Sequence, residues 1–321
     1  MKTPDFDILL GEYLQVRRSL GFKLKRVESQ LRGFVAFLKQ QGASRITGAL
    51  AARFAGGVEG AGERMLVTKK NYLCAIRAFA HYLSGAGFPA EAPPPGLPGR
   101  RPERPRPYIY THEEVARLLA LALSIPSAKA HAGRYGLKPW TLHTLIGLLA
   151  ATGMRLGEAL SLRHEDIDWN EGVIRIGNAK FLKSRLVPVH PTTLEKLRSY
   201  ARRLECFFAT RNRRAQPWFF VTCNGRALTP RQTCHDFHKL LHRAGLRKRG
   251  ERRGPRLHDL RHRFAVVTLL RHHESGNVMP VLATYLGHSH ARHTYWYLSS
   301  TPGLMAAAKE RLEKRWEGGA K

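Results

Sequence analysis

The chain has 321 residues, and 43% of them are hydrophobic, which is enough to bury a core and excludes a disordered basic tail. Its length suggests about two domains. Lys and Arg total 54 against 24 Asp and Glu, so the formal net charge is +30. That charge indicates a polyanionic partner, since phosphate contacts release counterions and drive association. Charge alone leaves open a ribosome-like or non-specifically binding basic protein.

The cysteines form no CxxC pair, which argues against a zinc ribbon or a disulfide framework and fits a reducing compartment; they are Cys74, Cys206, Cys223 and Cys234. The segment MKTPDFDILL lacks the apolar run of a signal peptide. No stretch approaches the ~18 consecutive apolar residues of a membrane helix. We therefore expect an intracellular protein with no membrane partner.

Residues 1–88 are predicted to form a helical domain. Two apolar faces at helical spacing carry this prediction, one ended by Gly42 and one within residues 68–83; they comprise Leu31, Phe34, Val35 and Leu38, then Leu73, Ile76, Phe79, Ala80 and Leu83. Lys69, Lys70 and Arg77 lie off the second face and predict a basic outer surface. Residues 89–107 are rich in Pro and Arg and predict an extended linker. Whether that linker follows a DNA backbone or is simply solvated stays open.

The predicted second domain covers residues 108–321 and mixes helices with a few strands. Thr111 and Glu114 form a capping box that opens a helix through about residue 123. An apolar helix is predicted over 139–151. The sequence then predicts a β-hairpin and a further short strand, followed mainly by helices and an amphipathic C-terminal stretch; these lie at 173–176 with 185–189, at 218–222, and at 305–316.

Four short segments in this domain place polar residues of reactive type in a fixed order. They are ATGMRLGEALSL (151–162) with Arg155, NAKFLKSRLVPV (178–189) with Lys180, LHDLRHRFA (257–265) with His258 and Arg261, and YLGHSHARHTYWYL (285–298) with His288 and Tyr297. Each segment alone is a weak signal. All of them in this order, in a very basic chain, are a strong one.

These segments resemble the tyrosine recombinase family, which includes phage integrases, Xer-type resolvases and transposon integrases. The resemblance covers roughly residues 105–300, and the YWYL ending is most like that of integrases carried on transposons. It implies a mainly α fold, with an N-terminal helical (SAM-like) DNA-binding domain and a mixed α/β catalytic domain that holds a small antiparallel β-hairpin or sheet. It also implies the catalytic set Arg155, Lys180, His258, Arg261, His288 and Tyr297, with no cofactor, metal or ATP.

The expected chemistry is attack by Tyr297 on a DNA phosphate to give a covalent 3′-phosphotyrosine. Arg155 and Arg261 would hold the non-bridging oxygens as bidentate forks. His258 is the expected proton acceptor, and Lys180 the acid that protonates the departing 5′-oxygen. Glu158, three residues after Arg155, is expected to orient it.

Three alternatives stay open at this stage. Lys183 competes with Lys180, because the family usually has glycine after this lysine and Phe181 stands here. Tyr295 competes with Tyr297, although the spacing from the LGH segment favours Tyr297. The histidines around 288–293 have ligand-like spacing, but no cysteine or carboxylate cluster accompanies them, so we expect no metal site.

The expected partner is double-stranded DNA, bound by a homo-tetramer or by a hetero-assembly with related recombinases. A Holliday junction would be the intermediate of strand exchange. The two domains would clamp the duplex. The resemblance further implies a cytoplasmic, nucleoid-associated protein of a bacterium. The rival hypotheses are a type IB topoisomerase, which would cut one strand without partner exchange, and a non-catalytic DNA-binding accessory protein of the same fold.

Overall fold

A computed structural model of the chain describes most of its residues. The described residues are 5–57, 65–97, 106–125, 136–177, 184–211, 217–251, 254–272, 277–288, 290, 292–300 and a few positions between 303 and 313. The chain divides into two compact units, Met1–Pro105 and Arg106–Lys321. The domain limits predicted at 88 and 108 stay predictions, because residues 98–105 of the linker lie outside the described part.

The first unit is built from helices in its described residues. Its helices are α1 (Phe6–Ser19), α2 (Lys25–Gln40), α3 (Gly48–Gly56) and α4 (Leu66–Gly85). Asp5 and Thr47 cap α1 and α3 by accepting backbone N–H groups with their side chains. Gly42, at φ +60°, follows α2 where the sequence predicts a stop. The apolar faces predicted for α2 and α4 are buried in one core.

The start of the predicted linker is held against α4. Arg77 donates from Nε to the carbonyl of Pro93 at 2.6 Å and from a terminal nitrogen to the carbonyl of Pro94 at 2.5 Å. Arg77, which the sequence places on a basic outer surface, therefore binds the chain's own backbone. The described residues 91–97 contain no helix, as the prolines predict.

The second unit is built from helices around a small sheet. Its helices are α5 (His112–Leu123), α6 (Leu137–Thr152), α7 (Leu156–Leu160), α8 (Pro191–Ala209), α9 (Pro230–Arg243), α10 (Leu257–Arg271), α11 (Val278–Leu286) and α12 (Arg292–Ser300). The capping box of Thr111 and Glu114 is present at the start of α5. In the described part of the chain, no helix combines the length and the apolar character needed to cross a bilayer.

In the part of the chain that the structure describes, the sheet has three antiparallel strands in the order β1 (Ile167–Asp168), β2 (Val173–Ile176) and β3 (Arg185–Pro188). Ile174 pairs with Ile167 on one side and Val187 on the other. The hairpin β2–β3 is where the sequence predicts it, and the predicted fold class, mainly α with a small antiparallel sheet, is confirmed. Residues 178–183 between the two strands, which include Lys180 and Lys183, lie outside the described part.

The strand predicted at 218–222 is wrong as a regular strand. Phe219 and Phe220 are both fully buried, so the side chains do not alternate between core and solvent. The segment passes through the core and pairs only by isolated bridges, Trp218 with Arg163 and Val221 with Ala227. Aromatic packing between the two phenylalanines, with ring centroids 5.0 Å apart, takes the place of strand pairing.

The described residues of the second unit form two apolar cores. The larger packs α5 through α9 and the start of α10 around the sheet. The smaller is formed by α10, α11 and α12, with Ala265, Val266, Leu269, Leu282, Leu286 and Tyr297 buried in it. The segments that hold Arg155, Arg261 and Tyr297 begin or end at helices of these two cores, so packing fixes where those three side chains lie.

Candidate active site

Arg155 lies at the start of α7, directly after a backbone reversal. Gly153 ends α6 at φ +61°, and a Cβ there would stand 2.6 Å from a ring carbon of Phe264. Only glycine therefore fits. Arg155 donates from NH1 to Oε1 of Glu158 at 2.8 Å and from NH2 to the carbonyl of Gly287 at 2.8 Å. Its side chain is 40% exposed, which leaves it open to a ligand.

Arg261 lies on α10 and is buried. It donates from NH1 to the carbonyl of Gly153 at 2.7 Å and from NH2 to the carbonyl of Leu286 at 2.6 Å. Burial and the neighbouring charge of Arg155 lower the pKa of the Arg261 guanidinium to about 10, so it stays protonated at neutral pH. Arg261 lies within electrostatic reach of Tyr297 as well.

The two arginines thus join three of the four segments with reactive residues. They donate to the consecutive carbonyls of Leu286 and Gly287, in the turn that precedes His288. Gly287, at φ +66°, ends α11. Two guanidiniums anchored on one turn form a concentrated positive site of the kind that binds a phosphate.

Arg185, on β3, also contacts this site, and the sequence motifs assigned no role to it. It forms a bidentate ion pair with Glu158, at 3.0 Å from NH1 to Oε1 and 2.7 Å from NH2 to Oε2. Burial alone would raise the pKa of the Glu158 carboxyl, but hydrogen bonds from Arg185 and Arg155 hold it at about 2. A signal was present in the sequence, since Arg185 belongs to the same segment as Lys180.

His288 and His258 are placed differently from each other. His288 is half-buried, and its Nδ1 is hydrogen-bonded to Oγ1 of Thr294 at 2.7 Å. His258 is exposed in the first turn of α10, and its ring stacks edge-on against His262 at 4.8 Å between centroids. The predicted roles of both histidines stay predictions.

Tyr297 is buried, with 1% of its surface exposed, whereas Tyr295 is 54% exposed. The Tyr297 hydroxyl is hydrogen-bonded at 2.8 Å to Nδ1 of His262, which is 3% exposed. His262 is thus in direct contact with the hydroxyl, and His258, the proton acceptor that the sequence predicts, lies one helical turn before His262 on α10. Sequence reasoning did not assign His262 a role, although its position directly after Arg261 was a signal for one.

The predicted set is thus partly assembled. Arg155, Arg261 and His288 meet at the turn after α11, with Tyr297 in the core beside them, while Lys180 and the alternative Lys183 lie outside the described residues. Among the described side chains, no three of His, Cys, Asp and Glu come together as a metal site would require.

Comparisons with known proteins name the family. A family model described as "Phage integrase family" matches residues 110–303. "Putative integrase/recombinase y4rB" of Sinorhizobium fredii (strain NBRC 101917 / NGR234) is 41% identical over 310 residues, 95% of this chain and 96% of that protein. "Tyrosine recombinase XerD" of Rhizobium meliloti (strain 1021) is 31% identical over 227 residues, 70% of this chain and 67% of that protein. The chain belongs to the phage integrase family of tyrosine recombinases.

Solved structures show the same fold at low sequence identity. The Tn1549 transposon integrase in complex with transposon right end DNA has a TM-score of 0.63 at 15% identity, covering 95% of this chain and 98% of that one. A lambda integrase tetramer bound to a Holliday junction has a TM-score of 0.61 at 15% identity, covering 92% and 78%. These likenesses concern the architecture of the chain.

Proposed function

We propose that this tyrosine recombinase cleaves and rejoins duplex DNA at specific sites through a covalent bond between Tyr297 and a DNA 3′-phosphate, without a metal ion or ATP. The observation that supports this most is the meeting of two guanidiniums, from Arg155 and Arg261, on consecutive carbonyls beside Tyr297. A phenol near a preorganised cationic site is what transfer of a phosphoryl group to tyrosine needs.

In the proposed reaction, the Tyr297 oxygen attacks the phosphorus and the bond from phosphorus to the 5′-oxygen breaks. Arg155 and Arg261 stabilise the charge on the non-bridging oxygens, and His288 hydrogen-bonds to one of them. His258 accepts the phenol proton, and Lys180 donates a proton to the 5′-oxygen. Attack by another 5′-hydroxyl on the phosphotyrosine reverses these steps and joins the new strand.

Tyr297 has to leave its described position to react. Its hydroxyl is enclosed by the small core and hydrogen-bonded to His262, so a phosphate has no access to it. Cleavage therefore includes a rearrangement of α12, the helix that carries Tyr297, when DNA is bound. Such coupling would keep the free protein from attacking DNA at random.

The proposed partner is double-stranded DNA, and the proposed assembly is a homo-tetramer or a hetero-assembly with related recombinases. The net charge of +30 supports polyanion binding. The lambda integrase, which shares this fold and whose solved structure is a tetramer bound to a Holliday junction, is in keeping with such an assembly. We assign residues 1–88 to DNA binding and residues 108–321 to catalysis, in a protein of the bacterial cytoplasm that associates with the nucleoid.

A strand-exchange assay tests this function. A short labelled duplex and a longer unlabelled duplex would carry a site selected with this chain from a pool of random duplexes, and the reaction would run in EDTA. Labelled strands of recombinant length are the expected product. Relaxation of a supercoiled plasmid without exchange would instead indicate a topoisomerase, and binding without cleavage an accessory protein.

A further inference from the structure

Arg185 is the first residue of β3, and its guanidinium faces Glu158. Both terminal nitrogens donate to the carboxylate, at 3.0 and 2.7 Å, and the two side chains are only 12% and 11% exposed. A bidentate pair at this depth fixes orientation as well as charge. Arg185 has no step of its own in the proposed reaction. Only Glu158 links it to Arg155, the arginine that would bind phosphate.

Glu158 is shared between two cations of different exposure. Its carboxylate accepts the two bonds from Arg185, one from NH1 of Arg155 at 2.8 Å and one from the Arg155 backbone N–H at 2.9 Å. Because the pKa of this carboxyl is about 2, it is ionised at neutral pH. The negative charge therefore sits between a guanidinium that is 12% exposed and one that is 40% exposed.

Without compensation, this carboxylate would oppose the proposed chemistry. It would cancel the charge of Arg155 and repel an approaching phosphate, and in a half-buried site such terms are weakly screened. Arg185 provides the missing positive charge from the side that faces the protein. Its position is confined, since a Cβ on Gly287 would lie 3.0 Å from its NH1.

We infer that Arg185 is a positioning residue for DNA cleavage: it neutralises Glu158, so that Glu158 orients Arg155 without cancelling the charge that Arg155 directs at the phosphate. The inference rests on the proposed function. It differs from a purely structural role, in which Arg185 would only tie the hairpin to α7. In that role its loss would lower stability, and removing its partner as well would not restore the reaction.

The test measures the rate of protein–DNA adduct formation at saturating DNA, with the Kd for the same nicked duplex and the thermal unfolding temperature. The variants are Arg185→Gln, Arg185→Lys, Glu158→Gln and the double variant Arg185→Gln/Glu158→Gln. Arg175→Lys is the matched control, because Arg175 lies on the adjacent strand β2 and pairs with Asp168 at 59% exposure. We expect wild-type rate and Kd from this control.

Arg185→Gln should slow adduct formation by on the order of 10²-fold, with a Kd close to that of wild type. Adding Glu158→Gln should recover about tenfold or more of that loss, because the uncompensated charge is gone. Arg185→Lys keeps the charge without the fork and should lose less than about tenfold. If Arg185→Gln does not fold, the rate of adduct formation by Arg185→Lys tests the inference instead.

The inference would be overturned if the double variant formed the adduct as slowly as Arg185→Gln. It would also be overturned if Arg185→Lys slowed adduct formation by on the order of 10²-fold, the loss expected of Arg185→Gln. A wild-type rate in Arg185→Gln would do the same. Failure of the proposed function looks different, because the wild-type chain itself would then form no adduct.

Discussion

The hydroxyl of Tyr297 lies 2.8 Å from Nδ1 of His262, and both side chains are almost completely buried. His262 follows Arg261 on α10, and Tyr297 is carried by α12, so this hydrogen bond joins two of the three helices that form the small core. The described state of the chain is therefore one in which the proposed nucleophile is held inside the protein and away from DNA.

Nitration of tyrosines by tetranitromethane tests this arrangement. In the free protein, Tyr295 should be nitrated and Tyr297 should be protected, because they are 54% and 1% exposed. The buried Tyr200 serves as an internal reference for protection. Peptide mass spectrometry measures the modified fraction at each position, with denatured protein as the fully modified control. Equal modification of Tyr295 and Tyr297 in the folded chain would contradict the buried position.

Gly153→Ala should destabilise the second unit. The added Cβ would stand 2.6 Å from Phe264 at a φ of +61°, a conformation that costs a residue other than glycine about 1–3 kcal/mol. The carbonyl that accepts from Arg261 would also shift. Thermal unfolding measures the loss. Gly157→Ala is the matched control, since a Cβ there meets nothing within 4 Å, and it should be neutral or stabilise by about 0.5–1 kcal/mol. Equal losses of stability in the two variants would contradict the requirement for glycine at position 153.

The ion pairs of Glu158 should stabilise the fold in a defined pH window. Its folded pKa of about 2 is below the ordinary value of 4.5, so its contribution is fully present above about pH 4.5 and is lost as the pH falls toward 2. The free energy of unfolding of wild type minus that of Glu158→Gln should thus be constant from pH 7 to 5 and shrink below. Glu165→Gln, at a carboxylate that is 73% exposed, should differ from wild type by less than about 0.5 kcal/mol. A difference that grows on acidification would contradict the assignment.

DNA affinity should fall steeply with salt. A chain with a net charge of +30 is expected to neutralise ~6 or more phosphates, which gives a slope of about −5 or steeper in a plot of log affinity against log salt. Fluorescence anisotropy of a labelled duplex between low and physiological salt provides the measurement. A nearly flat dependence would mean that the basic residues do not contact the DNA backbone.

Sequence patterns predicted much of this molecule because local rules govern those parts. The capping box of Thr111 and the stop at Gly42 depend on neighbours in the chain, and both are present in the structure. Local patterns could not predict two contacts of the site. His262 and Tyr297 are 35 positions apart in the chain, and Glu158 and Arg185 are 27 positions apart. The segment at Phe219 and Phe220 escaped prediction because an apolar run fits a strand and a buried connection equally well.

Tyr297 is the residue that we propose becomes bonded to a DNA 3′-phosphate. The most direct measurement uses a duplex nicked near the cleavage site, so that the cleaved state is trapped, in EDTA, followed by denaturing electrophoresis of wild type, Tyr297→Phe and Tyr295→Phe. We predict an adduct that survives denaturant in wild type and Tyr295→Phe and is absent from Tyr297→Phe. An adduct that persists in Tyr297→Phe, or one lost only in Tyr295→Phe, would contradict the assignment of the nucleophile.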